Sequence, residues 1–145
     1  MLTHQHMDHT GLASILQRRS GAEVAGLDLL GTWLAAYGER MEADDRFAET
    51  LMRRNGVPDA VVVALRAVSA AFRGWGAKAQ ITRPLRDGDE LALRDRTFRV
   101  LHRPGHSPTD TVFHDAERRE LLGGDHVIGH ISSNPLITAP IDGSS

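Results

Sequence analysis

"THQHMDH", residues Thr3–His9, places three histidines and an aspartate within seven positions. The whole chain has 145 residues, eight histidines and no cysteine. Disulfides and thiolate ligands are therefore excluded, and a metal site here must use imidazole and carboxylate. In extended backbone alternate side chains face the same way, so His4 and His6 can reach one ion. Asp8 and His9 follow where the chain turns toward a helix, and that turn can swing them to a second position beside the first. The spacing differs from the i, i+4 histidine pair of a helical single-zinc site. Standing alone, the stretch also reads as a histidine-rich tag remnant or an exposed polar terminus.

Two further stretches bear on that choice. In "HRPGHSPTDT" (102–111), His106 follows Pro104-Gly105 at the end of an expected strand, where a ligand is held firmly. In "LLGGDHVIG" (121–129), Asp125 follows a strand and two glycines, and a carboxylate has two oxygens with which to bridge two cations. Ser107 and Thr109 are placed to brace the His106 loop. His102 reads as a packed or hydrogen-bonded strand residue and His114 as solvated. His126 is a candidate to orient Asp125, and His130 a candidate to reach a substrate cleft.

Around these motifs the chain divides in three. Leu12, Ala13, Ile15 and Leu16 form an apolar face at helical spacing, with Thr10 as expected N-cap and Gly21 as stop. Ala22–Gly26 then reads as a short strand. Residues 27–80 read as helical. Leu30, Trp33, Leu34, Tyr37 and Met41 recur at three- and four-residue steps, Asn55-Gly56 ends one segment, and Pro58 suits the first turn of the next. There Val61, Leu65, Val68 and Phe72 make one stripe, and both stripes are expected in the core. From Ile81 onward strands are expected at Glu90–Leu93, Thr97–His102, Thr111–His114 and Glu120–Leu122, with a turn at Asp87-Gly88. "APIDGSS" (139–145) reads as loop.

Composition sets outer bounds. Hydrophobic residues make up 41% and charged residues 25%, ordinary values for one globular domain over residues 1–145. The net charge of -2 argues against a nucleic-acid partner. No apolar run is long enough to cross a bilayer, and no signal peptide precedes the first motif, which points to the cytoplasm.

In this order, HxHxDH, Pro-Gly-His and Gly-Gly-Asp resemble the metallo-beta-lactamase superfamily over about Leu2–Leu136. "PGHSPTDT" and "GGDHVIGHISSNPLI" are similar to its glyoxalase II-like hydrolases. The resemblance implies an α+β fold, a partial αββα sandwich with metals at one edge and residues 27–80 as a helical insertion or lid. It implies two divalent ions, zinc first, with iron or manganese as alternatives. His4, His6 and His106 would hold the first ion and Asp8, His9 and Asp125 the second, Asp125 bridging. The implied activity is hydrolysis of a small-molecule ester, thioester or phosphoester by a metal-bridging hydroxide, with Asp8 accepting its proton. Having Asp125 in place of a thiolate sets the chain apart from lactamases of the cysteine-bearing subgroup. The alternatives are a mono-iron persulfide-type dioxygenase and a non-catalytic metal-binding fragment. Family members have strands before HxHxDH and a further histidine after the bridging aspartate. The resemblance therefore implies a chain truncated at both ends, binding one ion tightly and associating through an incomplete sheet.

Overall fold

The computed structural model describes residues 1–76 and 79–140. Ala77 and Lys78 of the helical segment, and Ile141–Ser145 of the expected terminal loop, lie outside the described residues.

The first motif begins extended and then turns. His6 keeps strand-like backbone (φ -65°, ψ 145°), and its carbonyl accepts the amides of His9 and Thr10, which starts the one-turn helix α1 (Met7–Thr10). Thr10 is therefore inside α1 rather than an N-cap. Its buried hydroxyl donates to the His6 carbonyl. α2 (Ala13–Ser20) follows and stops at Gly21, which takes the left-handed conformation expected of a helix terminator. Of its expected apolar face only Ala13 is buried. Leu12 and Leu16 are 65% and 61% exposed, because no described element packs against that side.

β1 (Ala25–Leu27) starts three residues later than the expected strand. It turns directly into α3 (Asp28–Ala35), whose breadth of apolar residues pulls Leu27 into the core. α4 (Tyr37–Arg54) and α5 (Asp59–Phe72) complete the helical block, and a 3-10 turn over Arg73–Trp75 ends it. The chain then returns as β2 (Arg83–Leu85), parallel to β1, with Ala25 opposite Arg83 and Leu27 opposite Leu85. Parallel strands cannot be joined by a hairpin, so the helical block is the crossover this pairing needs. β3 (Glu90–Ala92), β4 (Thr97–His102), β5 (Thr111–Asp115) and β6 (Glu120–Leu122) form an antiparallel sheet in that order.

Two apolar clusters show the layering. Val24, Leu27, Leu30, Trp33 and Leu34 pack together with Leu2 and Ala79. Ala25 and Leu85 instead pack with Leu91, Phe98, Val100 and Phe113 of the larger sheet. Adjacent Val24 and Ala25 thus point to opposite sides, so the β1–β2 pair lies between the helices and the four-stranded sheet. This is the helix–sheet–sheet part of the expected sandwich.

The α4–α5 contact departs from the sequence pattern. Val62, Arg66 and Ser69 of α5, with Arg73 just beyond, face α4. Arg66 and Arg73 reach Glu42 at 2.6 and 2.8 Å, and the Ser69 hydroxyl donates to Asp45 at 2.7 Å. Three residues of the stripe expected in the core point outward instead, with Val61, Leu65 and Val68 45–51% exposed, while Phe72 at its end borders a cavity. α5 is apolar on most faces, so spacing alone could not select its inner side. The carboxylates of α4 selected it.

Candidate metal centre

Three loops converge at one edge of the sheets. The first motif is held from both sides: the Leu2 amide donates to the Ala25 carbonyl of β1, and the Thr3 carbonyl accepts the Thr111 amide of β5. The second loop joins β4 to β5 and carries His106. The third is the Gly123-Gly124-Asp125 turn after β6. Gly124 has φ +51°, and a Cβ there would stand 2.7 Å from the Thr3 hydroxyl oxygen. Only glycine suits both the left-handed backbone and that approach, which seats Asp125 beside the histidines.

The imidazoles close up across long sequence separations. His106 Nε2 lies 2.9 Å from His6 Nδ1, although 100 residues separate them. Ring centroids of His4 and His6 are 4.5 Å apart, and those of His4 and His9 4.2 Å. One ligand atom from each of His4, His6 and His106 can be chosen with all of them within 4.8 Å of one another, and the same holds for His4, His9 and Asp125. His9 Nε2 is 3.3 Å from Asp125 Oδ1, and His106 Nε2 is 3.6 Å from Asp125 Oδ2. Asp8 stands at the edge of this set, mostly exposed, 3.5 Å from His9 Nε2. It lines the adjoining cavity and falls outside both tight groups.

The donor chemistry fits a cation. The Asn134 carbonyl can only accept, so the 2.6 Å contact puts the proton of His106 on Nδ1 and leaves a lone pair on Nε2. His4 Nδ1 is paired with the Thr3 hydroxyl at 3.0 Å, while its Nε2 is buried without a hydrogen-bond partner. An orphaned buried polar nitrogen costs about 1–3 kcal/mol, and an ion would relieve it. Burial, reinforced by the neighbouring histidines, lowers the pKa of His4 to about 4. Burial and His106 do the same for His6. Both rings are neutral at pH 7, as ligation requires.

Asp110, not singled out from sequence, is the hub of the His106 loop. It is buried and accepts the amide and hydroxyl of Ser107 at 3.0 and 2.7 Å. Burial pushes its pKa up, but the two Ser107 hydrogen bonds outweigh this and hold the carboxyl below its ordinary value. The signal available was the three-residue step from Ser107 to Asp110. Gln5 is the second unforeseen residue. Lying between His4 and His6, it points to the opposite side, is buried, and accepts the Thr109 hydroxyl. Thr109 and Ser107 thus brace the loop as expected, and His102 is hydrogen-bonded, its Nε2 donating to Pro108 at 2.9 Å. His114 is half-buried on β5.

His126 acts elsewhere than on Asp125. Its Nδ1 faces Asp110 at 3.4 Å, and its ring covers Gly105, where a Cβ would meet it at 3.1 Å. It steadies the His106 loop because the 3-10 turn at Gly124–His126 sends adjacent side chains in different directions. His130 is exposed and is not among the residues lining the cavity.

A sequence model of the metallo-beta-lactamase superfamily matches residues 1–143. Acyl-coenzyme A thioesterase MBLAC2 of Bos taurus is 33% identical over 128 residues, covering 86% of this chain and 39% of that protein. A beta-lactamase domain protein from Burkholderia ambifaria superposes with a TM-score of 0.67 at 30% identity, over 92% of this chain and 38% of the other. The di-iron-bound form of TTHA1623 matches with a TM-score of 0.55 at 25% identity, over 92% of this chain and 52% of the other. The chain spans about two fifths of the length of the curated relatives it matches.

Proposed function

The chain belongs to the metallo-beta-lactamase superfamily, and from that premise we propose that it serves as a metal-dependent hydrolase of an ester, thioester or phosphoester, with places for two divalent ions. The observation that carries the reading is the convergence of one nitrogen each from His4, His6 and His106, of which His6 and His106 line the adjoining cavity. His4, His6 and His106 would hold one ion, and His9, Asp125 and the more exposed Asp8 a second. Zinc is the first assignment, and the di-iron form of a structural relative keeps iron beside it. When bound, such ions supply Lewis-acid polarisation of the substrate and acidify a water molecule.

The chain's own residues supply the rest. His4 and His6, both neutral at pH 7, would hold an ion together with His106 without adding negative charge to it. Asp125, seated by Gly124, brings negative charge between the two histidine sets. Asp8 stands in the cavity lining with a largely exposed carboxylate. It is placed to take a proton from the attacking water and return it to the leaving oxygen or sulfur as the acyl or phosphoryl bond breaks. Tyr37, Trp33 and Phe72 of the helical block close the far side and reduce access of bulk water.

The deciding experiment loads the chain with zinc, iron or manganese, measures bound metal, and assays esters, thioesters and phosphodiesters. Hydrolysis that needs metal and disappears in His106→Ala supports the reading. A chain that holds two ions and hydrolyses none of the three classes would overturn it.

A further inference from the structure

The cavity beside the histidines has a volume of about 390 Å³. Its metal end is bounded by His6, Asp8, His106 and Asp125, and its body by Trp33, Tyr37, Met41, Phe72 and Leu136. We propose that this body is an acyl-chain pocket. On the hydrolase reading above, the substrate is then a carboxylic ester or thioester whose acyl group is unbranched, apolar and of medium length.

Four observations carry this. First, the wall is apolar where it leaves the metal end. The Ser69 hydroxyl has its proton committed to Asp45 at 2.7 Å, which leaves the Tyr37 phenol and the Gln5 amide among the polar side-chain groups outside the metal end. Second, no lysine or arginine lines the cavity among the described residues, while Asp8 and Asp125 add negative charge at its entrance. Beyond the metal end, a charged group on the substrate would find no side-chain cation along the body of the cavity, whereas a neutral acyl chain meets no such penalty. Third, the walls are set by packing. Trp33 and Tyr37 meet edge-to-face at 5.3 Å with Trp33 only 4% exposed, so the floor is rigid. Met41, on the same face of α4 as Tyr37, is a flexible filler that can yield to a chain. Fourth, the closing wall comes from a separate segment. Leu136 donates its amide to the His106 carbonyl at 3.1 Å, and the Ala139 amide donates to Asp44 on α4 at 2.7 Å. The same strap thus ties the His106 loop to the helix carrying Met41, which fixes the depth of the pocket relative to the reacting edge.

Size then limits chain length. At roughly 30 Å³ per non-hydrogen atom, the volume holds about a dozen such atoms. With the carboxyl group at the metal end, about eight to ten carbons remain. Met41 and Phe72 are the residues that set this limit, since both border the cavity from partly accessible positions.

The test separates binding from turnover. In a Trp75→Phe background Trp33 is the reporter, and the full chain is titrated with linear saturated carboxylic acids of 4 to 16 carbons, following fluorescence and heat. Affinity is expected to rise about fourfold per methylene, equivalent to about 0.8 kcal/mol, and to level off near ten carbons. Met41→Ala should move the break to longer chains, and Met41→Phe to shorter ones. Met41→Leu, close in volume, should leave it in place and report on folding. In parallel, p-nitrophenyl esters of the same chain lengths and bis(p-nitrophenyl) phosphate are assayed with the metal-loaded chain. Binding that ignores chain length, or a break that none of the Met41 variants moves, overturns the pocket. Phosphodiester turnover equal to that of the best ester overturns the substrate class. A clear length dependence in binding without any hydrolysis leaves the pocket standing and sinks the hydrolase reading. Ester hydrolysis independent of length does the reverse.

Discussion

His106 is a ligand candidate only because Asp110 and His126 hold its loop. Asp110 accepts two hydrogen bonds from Ser107 and faces His126 Nδ1 at 3.4 Å, so one buried carboxylate ties the His106 loop to the turn after β6. Asp110→Asn preserves the shape but removes the negative charge facing His126 and reverses the hydrogen bond with the Ser107 hydroxyl. It is expected to weaken metal binding about 10–100-fold without unfolding the chain, as supporting partners of ligands generally do. Competition with a chromogenic chelator measures this, and wild-type affinity in the variant would contradict the role. His4 and His6 give a second outcome. Their folded pKa is about 4, below the ordinary 6.5, so between these values the unfolded chain binds more protons than the folded one. The contribution is fully present above pH 6.5 and is lost as pH falls toward 4. Denaturant midpoints of the metal-free chain should therefore drop across that window, and His4→Gln should shrink the drop.

At the scale of elements, the α4–α5 hairpin is joined by charge. Arg66, Arg46 and Arg73 hydrogen-bond to Glu42 and hold its carboxyl at about 2, below the ordinary 4.5. The sign is that of a depressed acid. The favourable contact is complete above pH 4.5 and is lost as pH falls toward 2. Because α4 and α5 together carry Tyr37, Met41 and Phe72, loosening this hairpin should open the cavity before the sheets unfold. Amide protection of α5, taken relative to the intrinsic exchange rate at each pH, is expected to fall below pH 4.5 while that of β4 and β5 does not. In Glu42→Gln it should be low already at neutral pH. Simultaneous loss of protection in helices and strands would mean that the hairpin is no separate unit.

At the scale of the whole molecule, the candidate site ties together residues near positions 4, 106 and 125, drawn from three loops. An ion bound there joins the start of the chain to both ends of the β4–β6 hairpins, so binding energy becomes folding energy. Free metal at one hundred times Kd should add about 2.7 kcal/mol, and the thermal midpoint should rise with the logarithm of metal concentration. Calorimetry with and without a chelator checks it. An unchanged midpoint would mean that the site is preformed in the unfolded chain or does not bind. The four-stranded sheet leaves β3 and β6 as edges among the described residues, which is where the expected self-association would occur.

What the sequence by itself determined was chemical and local. The absence of cysteine, the HxHxDH spacing and the two glycine-preceded residues His106 and Asp125 named the candidate donors of the proposed site. Short runs bounded by turn residues placed β4, β5 and β6, and in β4 alternate burial marks the inner face. The tertiary structure alone decided which surfaces meet. It showed α5 turning Arg66 and Ser69 inward, His126 serving Asp110 rather than Asp125, and the helices acting as the crossover of a parallel pair. It also placed Leu136 as a wall of the cavity. Each of these depends on a partner far away in the chain, as His6 and His106 depend on each other across 100 residues. Periodicity and spacing carry information about a segment's own backbone, and none about which distant segment will pack against it.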